Sequence, residues 1–302
     1  MDNGLSVTVD AYEDGQTYTV EAQNEPVKGF IRLTKTDRLD GQPIAGVQFD
    51  IYHNDEYGTG AAGTMTTDAN GVATSPPLRK GSYIIREHAD PTGYVAELVE
   101  MEAVVYSDET TDLAATNQPI QGYIRIVKSD ELTGEALAGA EFTITRVSGL
   151  PSHNGSNDGE VVAVITTDAN GVAVSPLLTW GTYRVTETGV PVHYVDNSFS
   201  VDVNVSEHMN TYEVAVENEP TKGWIRLVKT DRLNGNPIAG VQFDIYYNDQ
   251  YGEGLAATMV TDENGVAVSQ ALRKGQYLIR EHGATAGSMP SRSTVSKASS
   301  LI

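Results

Sequence analysis

Three residue types recur on one parity in this sequence, and together they can form a bond. Lys35, Glu87 and Asn117 each continue an alternating apolar series: Ile31, Leu33, Lys35; Tyr83, Ile85, Glu87; Leu113, Ala115, Asn117. The pattern returns as Ile124, Ile126, Lys128, then Tyr183, Val185, Glu187, then Val214, Val216, Asn218. A third set has Lys229 after Ile225 and Leu227, and Glu281 after Tyr277 and Ile279, without a closing asparagine. Near the start, Val20 and Ala22 lead to Asn24 without the matching lysine and glutamate series before it. Alternate side chains of a strand share a face, so a lysine, a glutamate and an asparagine enter an apolar interior in each complete repeat. Burying them costs several kcal/mol unless they satisfy one another.

Desolvation drives a buried lysine toward the neutral amine and a buried glutamate toward the neutral acid. A neutral amine is a nucleophile. With Lys35 Nζ against the side-chain carboxamide carbon of Asn117, a protonated Glu87 can hydrogen-bond the asparagine oxygen and polarise it. Attack and loss of ammonia then leave an amide between Lys35 and Asn117, with Glu87 shuttling the proton. Fixed neighbours in a folded core supply the effective molarity that a slow reaction needs. Such chemistry runs once per unit without turnover, so no multiple-turnover enzyme is expected. The competing reading of the same residues is an unreacted, buried hydrogen-bond network.

The elements that must hold these residues are strands. Ile31, Leu33 and Lys35 alternate with Arg32, Thr34 and Thr36, and Val47, Phe49 and Ile51 alternate with Gln48, Asp50 and Tyr52. A period of two indicates half-buried antiparallel strands. Asp68-Ala69-Asn70-Gly71 and Lys80-Gly81 provide hairpin turns. Residues 29–88 and 223–282 align without a gap and differ at 16 of 60 positions, which makes them copies of one unit. Gly-aromatic-Ile-Arg recurs at 29–32, 122–125 and 223–226, Thr-Asp-x-Asn-Gly-Val at 67–72, 167–172 and 261–266, and Asn-x-Pro at 24–26, 117–119 and 218–220. These landmarks divide the chain into 1–26, the final strands of an incomplete unit; 27–119 and 120–220, complete units; 221–287, a truncated unit; and 288–302, a Ser- and Ala-rich tail expected to be disordered. Units of this size with seven or so short strands read as β-sandwiches, so the fold class is all-β, in tandem sandwiches incomplete at both ends. Short, proline-stiffened connectors favour a rod.

Composition narrows the function. Twenty basic residues against 41 acidic ones give a net charge of −21, which makes nucleic acid and anionic membrane surfaces poor partners. There is no cysteine, which removes disulfides and thiolate metal sites. The six histidines lack metal-ligand spacing, Asp68 to Gly71 lacks the later ligands of a calcium loop, and no cofactor motif stands out. No apolar run is long enough to span a bilayer, and residues 1–30 lack a signal-peptide pattern.

Lys-Thr-Asp or Lys-Ser-Asp on the first strand, Gly-x-Tyr-x-x-x-Glu at 81–87, 181–187 and 275–281, and the closing Asn-x-Pro resemble the B-type repeats of Gram-positive collagen adhesins, also called SpaA-like prealbumin-fold domains of pilins. The resemblance covers residues 1 to about 287 and includes Ala-Gly-Val/Ala-x-Phe at 45–49, 138–142 and 239–243. It implies an immunoglobulin-like, prealbumin-like sandwich in which the matching Lys and Asn form an intramolecular isopeptide bond assisted by the matching Glu. By position these are Lys35, Asn117 and Glu87, then Lys128, Asn218 and Glu187. Lys229 and Glu281 lack an asparagine, and Lys229 and Asn24 stand as unpaired candidates. The implied setting is a bacterial cell surface, extracellular, with other domains of a longer surface protein as partners.

The resulting expectation is a stalk or pilus-like spacer in which tension passes through the covalent bridge of each unit. The alternative is an adhesin module that holds a host protein or glycan on its sandwich loops, with Tyr52, Tyr57, Tyr246 and Tyr251 as candidate contacts. The outward Phe30, Tyr123 and Trp224 are expected to pack at unit junctions. A further idea is strand addition: residues 1–26 of one copy completing the third unit of another, with Asn24 meeting Lys229. No sortase-type anchor motif or pilin polymerisation lysine motif is visible.

Overall fold

Fixed by the alternation of apolar residues, strands dominate the computed structural model, which describes residues 6–21, 27–56, 58–97, 99–150, 158–249 and 254–282. The expected disordered tail at 288–302 lies outside the described residues. The first unit contains β1 (Lys28–Asp37), β2 (Gln48–His53), β3 (Ala61–Thr66), β4 (Val72–Thr74), β5 (Leu78–Arg79), β6 (Gly81–Glu87), β7 (Glu100–Val105) and β8 (Thr110–Asn117). The second contains β9 (Gln121–Asp130), β10 (Glu141–Gly149), β11 (Val161–Thr166), β12 (Val172–Val174), β13 (Leu178–Thr179), β14 (Gly181–Gly189), β15 (Ser200–Val205) and β16 (Asn210–Asn218). The third contains β17 (Lys222–Gly223), β18 (Arg226–Val228), β19 (Gln242–Tyr247), β20 (Leu255–Val260), β21 (Val266–Val268), β22 (Leu272–Arg273) and β23 (Tyr277–Glu281).

Each complete unit is two sheets face to face. In the first, the order β3-β2-β6-β7 forms one sheet, while β1 pairs with β4, β5 and β8 in the other. The second repeats this as β11-β10-β14-β15 against β9 with β12, β13 and β16. Ile31, Leu33, Phe49, Ile51, Tyr83 and Ile85 fill the space between the first pair of sheets, all fully buried. The second unit packs Ile124, Ile126, Phe142, Ile144 and Val185 in the same places.

Most pairings are antiparallel, as the hairpin turns require. The first and last strands are the exception: β8 runs parallel to β1, and β16 parallel to β9. A period of two cannot report strand direction. A unit whose chain enters at one end and leaves at the other must begin and finish with strands that point the same way.

The third unit keeps β19, β20 and β23 as one sheet, but no described strand pairs with β18 on the side that β8 and β16 occupy in the other units. Ile225, Leu227, Tyr277 and Ile279 are only partly buried there, and the first strand is broken into β17 and β18. Residues 6–21 likewise form no strand, in contrast to the expected final pair. In complete units the last strand is held by the first, and no described strand takes that place beside residues 6–21. One local contact survives: Tyr12 N–H donates to Tyr18 Oη at 3.3 Å, the counterpart of Ser206 N–H to Tyr212 Oη at 2.8 Å.

Candidate functional site

Lys35 sits near the end of β1, its backbone gripped on both sides. Its N–H donates to Gly71 O at 2.7 Å, and its carbonyl accepts from Ile44 N–H at 3.0 Å. Gly71 has φ 71°, in the left-handed region, and a Cβ there would collide with the Lys35 carbonyl. Asp68 Oδ1 shapes this turn by accepting the N–H groups of Asn70 and Val72 at 2.8 and 2.9 Å. The Asp-x-Asn-Gly motif is therefore a hairpin turn that seats the lysine. Glu87 ends β6 and Asn117 ends β8, each pointing inward as the sequence parity indicates.

In the β1–β8 ladder Lys35 stands opposite Ala115, and Asn117 opposite Asp37. Lys35 and Asn117 are thus diagonal neighbours on one face, within reach of a long side chain. Lys35 Nζ lies 3.0 Å from Glu87 Oε2, with both side chains fully buried, and 5.5 Å from the centre of the Phe49 ring. Asn117 has no solvent exposure, and neither its Nδ2 nor its Oδ1 has a hydrogen-bond partner among the described residues.

The second unit holds the same three residues in another arrangement. Asn218 Nδ2 donates to Glu187 Oε2 at 3.1 Å and to Val195 O at 3.1 Å. Lys128 Nζ is 3.9 Å from Glu187 Oε1 and donates to Val216 O at 3.4 Å. In one unit the glutamate meets the amine, and in the other it meets the carboxamide nitrogen. These are the two contacts that a proton relay from the amine to the carboxamide nitrogen would need. Burial pushes Lys35 and Lys128 below the ordinary lysine value and Glu187 above the ordinary glutamate value, toward the neutral amine and the neutral acid. Among the described residues, every buried side-chain atom without a hydrogen-bond partner belongs to these two triads, except Arg146 Nη1. Orphaned polar atoms in an apolar core require a reason.

A family model for the SpaA prealbumin-like fold domain matches residues 29–119, 122–220 and 223–296. The chain belongs to the SpaA prealbumin-like fold domain family. Among solved structures, the Bacillus anthracis TIE protein is similar at 26% identity and a TM-score of 0.65, over 85% of this chain and 46% of that one. This chain therefore spans less than half the length of that protein. BcpA, the major pilin subunit of Bacillus cereus, aligns at 19% identity over 84% of this chain and 88% of its own, with a TM-score of 0.38. GBS52, the minor pilin of Streptococcus agalactiae, aligns at 20% identity over 68% and 98%, with a TM-score of 0.30. No curated protein matches.

The third SpaA domain brings together only part of the site. Lys229 Nζ lies 2.8 Å from Glu281 Oε2, but the two side chains are 26% and 40% exposed, with no described strand covering them. Asn24 lies outside the described residues, so its expected meeting with Lys229 has no geometry here. Trp224 is 67% exposed and Phe30 38% exposed, so the expectation of junction packing is not met at these two, while Tyr123 is half-buried.

Sequence reasoning missed two residues per complete unit. Asp37 and Asp130 continue the inward series past the lysine and are 3% and 6% exposed. Tyr94 and Tyr194 lie outside any strand, and Tyr194 Oη donates to Asp130 Oδ2 at 2.9 Å. Burial, then the charge and hydrogen bond of Asp37, pushes the Tyr94 hydroxyl well above the ordinary tyrosine value. The signal was present as Pro-x-x-Tyr-Val at 91–95 and 191–195, with the tyrosine seven residues after each glutamate.

Proposed function

We propose that the chain is part of a structural stalk or spacer of a bacterial surface adhesin or pilus-like protein, and that each complete domain is closed by an autocatalytic Lys–Asn isopeptide bond. The amine of Lys35 attacks Cγ of Asn117, the new N–C bond forms, and the carboxamide nitrogen leaves as ammonia with the proton that Glu87 relays from the amine. Lys128, Asn218 and Glu187 do the same in the second unit. The observation that supports this reading most is the repeated burial of lysine, glutamate and asparagine, with the carboxamide left short of partners in both units. Nothing turns over, so the chemistry serves structure. The closed loops span 82 and 90 residues, and a cross-link of that length stabilises by about 4.5 kcal/mol on the chain-entropy relation used for disulfides.

Partners on this reading are other domains of a longer surface protein, in an extracellular, cell-wall setting typical of Gram-positive pilins and adhesins. The adhesin alternative draws less support. Tyr52 and Tyr246 lie against the Arg86 and Arg280 guanidinium groups at 5.4 and 5.5 Å, so these rings are engaged on their own sheets. Tyr57 and Tyr251 lie outside the described residues. Intact-mass measurement tests the proposal. The whole chain should lack two ammonias, and Glu87→Ala should restore one; a full unreacted mass for the parent would overturn it.

A further inference from the structure

The asparagine of the second triad is not held by its strand alone. Between β14 and β15, residues 190–197 cross the end of β16 as a strap tied down at several points. Val195 N–H donates to Glu219 O at 2.9 Å. Asn197 Nδ2 donates to Glu217 O at 3.0 Å, and Tyr194 bridges to Pro220. The strap's own contribution to the site is the Val195 carbonyl, which takes one N–H of Asn218 at 3.1 Å while Glu187 takes the other at 3.1 Å. With both amide hydrogens engaged, the carboxamide plane is fixed and the leaving nitrogen faces the carboxylate. An asparagine side chain without such partners turns broadly about its last torsion.

What anchors the strap is Asp130. It stands directly opposite Asn218 in the parallel ladder, and its Oδ1 accepts Leu132 and Thr133 N–H at 2.8 and 2.9 Å. Its remaining oxygen takes the Tyr194 hydroxyl. These donors outweigh burial and hold the Asp130 carboxyl below its ordinary value, so it remains an anionic acceptor. The first unit repeats the anchor but not the carboxamide contact, since Asn117 Nδ2 has no partner among the described residues: Asp37 stands opposite Asn117, accepts Leu39 N–H at 2.7 Å and takes the Tyr94 hydroxyl. Val95 N–H donates to Gln118 O at 2.8 Å, Tyr94 bridges to Pro119, and Arg38 holds Glu97 at 2.9 Å.

We propose that Tyr194 with Asp130, and Tyr94 with Asp37, are positioning residues for the cross-link, acting through a strap that presents the asparagine carboxamide to the glutamate. This rests on the isopeptide reading above. Each tyrosine hydroxyl is bonded to an aspartate that is not one of the reacting groups, and acts on the reacting atoms through the strap. Each fixes the backbone segment that orients them, and misplacement of about 1 Å at such a site costs on the order of 10²-fold in rate.

The test uses the full chain recovered in urea from inclusion bodies, before folding has let the bonds form, and folded for the first time by dilution. Cross-linked peptides of each unit are quantified by mass spectrometry against time, with hydrogen exchange of β9 and β16 peptides as the record of folding. Tyr194→Phe should slow the second unit's bond by about 10- to 100-fold, leave the first unit's bond at the parental rate, and let β9 and β16 gain protection on the parental schedule. Tyr94→Phe should invert the pattern. Asp130→Asn, which keeps an acceptor for the tyrosine, should recover part of the rate that Asp130→Ala loses. Wild-type cross-linking in Tyr194→Phe, or a delay matched by an equal delay in protection, would overturn the positioning role while leaving the isopeptide reading intact. A parent chain with no bond in either unit would sink both.

Discussion

Glu87→Gln keeps the size of the side chain and removes its capacity to carry a proton from Lys35 to the departing ammonia. The first unit should fold and remain open. Lys35 to Asn117 closes 82 residues, and the chain-entropy relation puts the stabilisation lost at about 4.5 kcal/mol at room temperature. At about 1.36 kcal/mol per decade, this is on the order of 10³-fold in the population of the unfolded unit. Hydrogen exchange of β1 and β8 peptides reads that population directly, with the second unit of the same chain as the internal reference. Glutamine also leaves the buried Lys35 amine without its acid, which weakens the unit in the same direction. Asn117→Ala therefore accompanies it, breaking the bond by another route while retaining the Lys35–Glu87 pair. Both chains should regain the mass of the unreacted unit and lose protection by similar factors. A Glu87→Gln chain that still lacks its ammonia, or an open unit whose β1 and β8 protection stays within about tenfold of the parent, would refute the reasoning.

Three further outcomes follow from the geometry. Lys229, 26% exposed beside Glu281, should react with an amine-acylating reagent in the folded chain, whereas Lys35 and Lys128 should not; labelling of either buried lysine would count against closure. The reactive state of the second unit holds one proton between Lys128 and Glu187, so the rate during first folding of unreacted chain should be bell-shaped in pH. Its acid limb should lie above the ordinary glutamate value of 4.5, because Glu187 is raised, and its alkaline limb below the ordinary lysine value of 10.5, because Lys128 is lowered; a rate still rising at pH values beyond that lysine value contradicts a buried amine. Gly171→Ala forces a Cβ against the Lys128 carbonyl at a φ of 71°, and should destabilise the turn by about 1 to 2 kcal/mol or more and slow only the second unit's bond, as read from unit-specific cross-linked peptides.

The triad was legible because burying a charged group on an apolar parity breaks a pattern. Lys35 after Ile31 and Leu33 is conspicuous in a way that a lysine in a loop is not. Asp37 obeys the same parity, yet it opens the turn Asp37 to Gly41, where aspartate is the expected turn former, so its role as an anchor was masked by a local explanation. Tyr94 and Tyr194 sit in segments with no period at all, and only the fold shows that these segments cross the strand that bears the asparagine. The sandwich itself followed from the alternation of apolar residues, whereas the parallel union of first and last strands did not, since direction leaves no trace in a two-residue period. In the third unit the parity is intact at Lys229 and Glu281, but burial depends on a covering strand, which a residue's own neighbours in sequence cannot report.

That parallel union has a mechanical meaning of its own. The chain reaches a complete unit at the start of β1 and departs from the end of β8, so a pull between its neighbours drags the two strands past one another lengthwise. Their ladder is then sheared, with all its rungs strained together, instead of being peeled open one rung at a time. Lys35 and Asn117 lie at the departing end of that ladder, so once they are joined the pull traverses only the stretch from residue 28 to residue 35 before it leaves. The other strands of the sandwich would hang from that line as slack cargo, free to keep their fold under forces that would otherwise unravel them.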